Sequence, residues 1–117
     1  MTDTKRTQFP LNSIVVGRED PRMGTYYSFY RVVGFTKGLS PRVRRLEDKI
    51  VSSSSTPADS TEHIEPSDKI DPYGSTRVLR WSHDLECWTS GNCRDYTQKT
   101  YKRYKKDKKY VNMSYYY

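Results

Sequence analysis

What this chain lacks narrows it first. No stretch approaches the roughly 18 to 20 consecutive apolar residues that cross a bilayer, so membrane insertion is not expected. The opening residues, Met1 to Pro10, hold no apolar segment of the kind a secretory leader needs, which points to synthesis in a reducing cytosol. Cysteine is nearly absent: the single pair Cys87 and Cys93 builds no disulfide framework, and free thiols are the expectation. Apolar residues make up only 33% of 117, which supports one domain with a small core. There is no repeat at a solenoid period. No catalytic or cofactor signature stands out either, and we expect no enzyme, no cofactor and no metal site.

The nearest approach to metal ligation is His83, Cys87 and Cys93, spaced His-x3-Cys-x5-Cys. Zinc needs four such ligands at close quarters, and the Cys-x2-4-Cys knuckle is missing, so both cysteines read as ordinary thiols. A Cys–His nucleophile needs an aimed base and a pocket, neither of which the sequence shows. His83, Asp84 and Glu86 follow a strand and read as loop solvation.

What is abundant is tyrosine, eleven of it, and positive charge, +7 net. The charge is uneven. Residues 1–46 carry +6, 47–72 carry −5, 73–93 balance, and 94–117 carry +6. An acidic segment therefore separates two basic ones, a balance that favours polyanionic partners.

Thr25 to Thr36, Thr-Tyr-Tyr-Ser-Phe-Tyr-Arg-Val-Val-Gly-Phe-Thr, is the stretch best able to organise a core. Its β-branched and aromatic content reads as a strand. Alternation puts Tyr27, Phe29, Val33 and Phe35 on one face and Tyr26, Tyr30 and Val32 on the other. Apolar matter on both faces implies a central strand; Tyr27, Phe29, Tyr30, Val32 and Val33 are the expected core.

Around it the chain reads as strands over Ser13–Gly17, Arg42–Glu47 and Thr76–Ser82, with a short strand or turn at Leu85–Trp88. The Thr76–Ser82 strand is expected to close the sheet. Gly38 and Pro41 mark the turn after the central strand. Residues 52–72, rich in Ser, Thr, Pro and acid, read as a mobile loop that buries too little apolar surface to order. The expected fold is mainly β: a small antiparallel sheet or SH3-like barrel, with that acidic loop inserted and an extended basic C-terminal arm. The expected division is a segment at 1–12, a β domain at 13–93 and the arm at 94–117.

The arm holds seven of the tyrosines and eight Lys or Arg. Tyr101, Lys102, Arg103, Tyr104, Lys105, Lys106, Lys108, Lys109, Tyr110, Tyr115, Tyr116 and Tyr117 are its candidate binding residues. Three readings are open: docking to protein through tyrosine, binding nucleic acid through charge and stacking, or plain solvation. A second candidate is Arg42, Arg44, Arg45, Arg77 and Arg80, which would form one patch for phosphate or carboxylate if their strands pair. The bland alternative is a solvated Arg face balanced by the acidic loop.

The order Ile14-Val15-Val16, then Tyr27 to Thr36 with its Phe-Tyr-Arg-Val-Val core, then Arg42-Val43-Arg44-Arg45-Leu46, then Val78-Leu79-Arg80-Trp81 is similar to small uncharacterised β-barrel modules of phage, plasmid and large DNA virus proteins. The resemblance covers about residues 13–47 and 76–82, and Ser28 stands where an acidic residue or Asn is expected. It implies a viral or mobile-element origin and a barrel, and carries no catalytic residue. The expected function is a non-enzymatic structural module, a minor virion protein docking to other subunits of a larger assembly through its arm. Binding of DNA or RNA by the Arg-rich strand and the tail is the alternative.

Overall fold

One strand, β2 (Gly24–Phe35), has a core on each face. The computed structural model describes residues 8–20, 24–55, 59–90 and 98–115, and none of these is helical. The other strands are β1 (Ile14–Glu19), β3 (Pro41–Ser55), β4 (Asp59–Ile70), β5 (Thr76–Val78), β6 (Arg80–Ser82), β7 (Cys87–Ser90), β8 (Lys99–Arg103) and β9 (Tyr110–Tyr115). All pairings are antiparallel. The protein is mainly β, a small closed barrel of four strands with further strands added.

The closed ring is β2–β3–β4–β9. Phe29, Leu46, Ile64 and Tyr110, one from each of these strands, form a core with Val16 of β1. The ring shuts where Gly24 and Thr25 pair with Ser114 and Met113. A β-carbon at Gly24 would stand 2.2 Å from the Met113 carbonyl oxygen, so only glycine permits this approach. Beside the seam the Tyr27 N–H donates to Asn112 Oδ1 at 2.6 Å, and the hydroxyls of Tyr26 and Ser114 bond to each other.

The opposite face of β2 sends Tyr30 and Val32 into a second core with Phe9, Val15, Val43, Leu79, Trp88 and Tyr101. Here β3, β2, β1, β8, β7 and β6 lie edge to edge, and β5 pairs with the far edge of β3. Only Leu79 separates β5 from β6, so the chain steps at one residue from one end of this ladder to the other. The stretch Thr76–Ser82, expected as one strand that closes the sheet, is two short strands at its two ends, and the closure lies instead in the β2–β3–β4–β9 ring.

Three further expectations are corrected. A bulge between Val32 and Gly34 breaks the alternation of β2. It leaves Val33 exposed at 38% and turns Phe35 to the Tyr30 face. Secondly, the segment expected as a mobile acidic loop is largely strand. Ser52, Ser53, Ser54 and Ser55 pair with His63, Glu62, Thr61 and Ser60, and β9 covers the other edge of β4 from Asp59 to Ile64. Ladder hydrogen bonds and Ile64, the one buried residue among those described in the segment, hold it, which composition alone does not reveal. Pro66 lies beyond the last residue that β9 pairs, so its missing N–H is tolerated. Residues 56–58 of that segment lie outside the described residues.

Thirdly, the boundary at 94 does not separate an arm. β8 pairs with β1 and β7, and β9 with β4 and β2. Tyr101 and Tyr110 are buried, one in each core. In the turn after β2, the left-handed residue is Leu39, with φ of 63°, rather than Gly38.

Candidate functional site

Alternation within paired strands decides which charges meet. On β1, Val16 and Arg18 share a face; on β8, Thr100 and Lys102 do. The register sets Arg18 between Tyr27 of β2 and Thr100 of β8, and Val16 beside Lys102. The turn from 104 to 109 then folds Lys105 and Lys108 over the same area, closed by a Lys108 N–H to Lys105 oxygen bond of 3.1 Å. The result is a groove of about 440 Å³ lined by Arg18, Lys102, Arg103, Lys105 and Lys108, with Tyr27, Tyr110 and Thr100. The one acid in its lining among the described residues, Asp20, is engaged by the Arg18 Nε at 3.1 Å and by the Thr25 hydroxyl at 3.0 Å.

The rings give the groove a firm wall. Phe29 packs edge-on against Tyr104 and Tyr110, and Tyr27 edge-on against Tyr110. Tyr110 accepts the Lys105 backbone N–H at 3.1 Å. Arg18 lies 5.8 Å from the centre of the Tyr27 ring and Lys108 lies 5.4 Å from that of Tyr110, so each ring holds a cation at the rim. Chemically the site offers cations along the rim of an aromatic floor, an arrangement with the charge and the ring faces that phosphate and base groups need.

Of the tail residues expected to bind, Lys102, Arg103, Lys105, Lys108 and Tyr110 come together here. Lys106 and Lys109 are exposed on the same turn, outside the lining. Tyr101 is in the second core, where its hydroxyl bonds to Ser90 Oγ at 2.7 Å, and Tyr104 packs on the first. Tyr115 pairs with Asp59 at the end of β9; Tyr116 and Tyr117 lie outside the described residues.

The arginine patch is divided. Its strands do pair, but Arg42 falls opposite Val78 and Arg44 opposite Thr76, while Arg77 falls opposite Val43. Arg42 and Arg44 therefore share one face, and Arg45 and Arg77 the other. Arg45 and Arg77 line a small cavity of about 180 Å³ with Tyr30 and Asp71. Arg80, one strand on, pairs with Thr89 and lines a wide recess with Arg77 and His83.

Arg18, Tyr27 and Lys99 were not among the expected site residues. Lys99 is buried, and its Nζ donates to the Tyr30 hydroxyl at 2.8 Å and to Ser28 Oγ at 3.4 Å, with Glu19 Oε1 at 3.9 Å. Burial opposes ionisation of Tyr30, but the hydrogen bond and charge of Lys99, with the charge of Arg77, outweigh it and hold this phenol below its ordinary value. Tyr101 moves the other way, pushed well up by burial and by the neighbouring Tyr30.

Cys87 is a free thiol pushed up by burial, with Lys102 partly offsetting the effect, so it stays protonated at neutral pH. Cys93 lies outside the described residues. Among the described residues no three of His, Cys, Asp and Glu gather as metal ligands. No helix among them is long and apolar enough to cross a membrane. No family model, curated protein or solved structure matches this chain.

Proposed function

We propose that this protein is a non-enzymatic nucleic-acid-binding module that holds the phosphate backbone in the groove between β1, β8 and the 104–109 turn. The observation that supports it is the gathering of five cations around one already engaged carboxylate, over a wall of packed tyrosines. Neutralising phosphates releases counterions, which makes such binding steeply dependent on salt. The test is the affinity of the full chain for DNA and RNA oligonucleotides across a range of salt. A log–log slope equivalent to several phosphate contacts is expected; a flat slope, or no binding at low salt, would sink this reading.

A second reading, a structural subunit of a larger assembly such as a virus particle, draws on a different feature. Nine consecutive residues of β3, Glu47 to Ser55, are exposed, among them Ile50 at 59% and Val51 at 48%. Beyond Arg45 the edge of β3 turned to β2 meets no strand among the described residues. Such an edge accepts a strand from a neighbour. If Ile50→Lys with Val51→Lys left co-purification with a particle unchanged, this reading would fail.

A further inference from the structure

The strand register carries the basic surface beyond the groove. Tyr27 lies opposite Arg18, Arg18 opposite Thr100, Thr100 opposite Thr89, and Thr89 opposite Arg80. Directly opposed residues point to one face of a sheet, so these five form a single row across β2, β1, β8, β7 and β6. That face is turned away from the second core, which takes the alternate residues Val15, Tyr101 and Trp88. Between the two arginines the row holds only two uncharged threonines, Thr100 half-buried and Thr89 buried with its hydroxyl tied down to the Arg80 carbonyl oxygen at 3.1 Å, so a ligand crosses this stretch held by the arginines at its ends. At its far end Arg80 is exposed beside a wide recess that it shares with Arg77, His83 and one acid, Asp84.

We infer that a single-stranded nucleic acid runs along this row, perpendicular to the strands, from the groove to Arg80. The inference rests on the groove reading and adds to it the form of the ligand, its direction and its least length. A flexible single strand can enter the groove of about 440 Å³, turn along the row, and lay an unpaired base on the Tyr27 ring, which the paired bases of a rigid duplex cannot do. Three strand spacings of about 4.8 Å separate Arg18 from Arg80, roughly 14 Å. A stacked strand advancing about 3.4 Å per nucleotide covers that in about four nucleotides. Arg80 then contributes only to ligands that reach past the groove.

The probes are oligothymidylates of about three and about twelve nucleotides, which bracket the reach of the row. They are titrated against the full chain, against Arg80→Gln and against Lys102→Gln in the groove. Arg80→Gln is expected to weaken the long probe several-fold and leave the short one unchanged; Lys102→Gln weakens both. Arg42→Gln, opposite Val78 and off the row, changes neither. Circular dichroism melts confirm that the variants fold. Equal affinity of Arg80→Gln and wild type for the long probe overturns the path, as does an equal loss on both probes. No binding of either probe by the wild type removes the groove reading and the path with it, whereas binding without a length-dependent role for Arg80 removes the path alone.

Discussion

The Lys99 Nζ donates to the Tyr30 hydroxyl at 2.8 Å across 69 residues of sequence, and both side chains are buried. The path is open because position 17 is glycine: a β-carbon there would stand 2.7 Å from Lys99 Cδ and 3.0 Å from the rings of Tyr30 and Tyr101. A cation thus passes over Gly17, beside two packed aromatic rings, to reach a phenol.

Replacing that cation isolates its effect. In the wild type, Tyr30 should ionise below the usual phenol value of about 10. A phenol lowered in the folded state adds stability that is present above the unfolded value and lost as pH falls through its own. With Lys99→Met, burial remains and the partner is gone, so the earliest phenolate step in an ultraviolet titration should move upward. An unchanged first step would exclude the pairing as its cause.

Tyr101 is raised, so its contribution has the opposite sign: it is fully present below about pH 10 and is lost as pH climbs above that. Tyr101→Phe forfeits the bond to Ser90, about 1 kcal/mol at neutral pH. It should also flatten the decline of stability in alkali, read from urea midpoints at increasing pH. A decline as steep as that of the wild type would place alkaline sensitivity elsewhere.

Two glycines of β2 should respond in opposite ways. Gly24→Ala drives a methyl into the Met113 carbonyl at the seam and should cost about 1 to 3 kcal/mol, a fall of several degrees in Tm. Gly34→Ala, at the bulge, meets no atom within 4 Å and should be neutral or gain up to about 1 kcal/mol. Calorimetry on the two variants compares the sites directly, and equal losses would mean that the seam is not what Gly24 serves.

Lysines inside and outside the groove should differ in salt dependence. Lys102→Gln should reduce the log–log salt slope of oligonucleotide binding by about 0.7 to 0.9, the value of one phosphate contact. Lys109→Gln, exposed on the turn but not lining the groove, should change it by much less. Equal reductions would indicate a diffuse field in place of a groove.

How far these features could be read beforehand depends on how local their causes are. Thr25 to Thr36 announces a two-sided strand because its apolar side chains lie within twelve residues of one another. The bulge at Val33 does not, since it exists only against β3. Basic residues of the tail were visible as composition, yet Arg18 and Tyr27 join them only through pairings across more than eighty residues. The Ser-rich arm of the β3–β4 hairpin carried no apolar signal at all, because its order comes from ladder bonds and from β9. Tyr101 and Tyr110 misled for a related reason: each follows or sits among lysines, and the core residues that bury them come mostly from distant strands.

The two late strands also set when the molecule can be finished. β8 brings Tyr101 to one core and β9 brings Tyr110 to the other, while their partners in β1 and β2 are made near the start. With Phe29 and Tyr30 made and Tyr101 and Tyr110 still to come, each face of β2 lacks one of the rings that cover it. Each core is therefore completed only when a ring from far along the sequence arrives, so the Tyr101 core can close before the Tyr110 core, and the two faces of β2 need not be covered in one step.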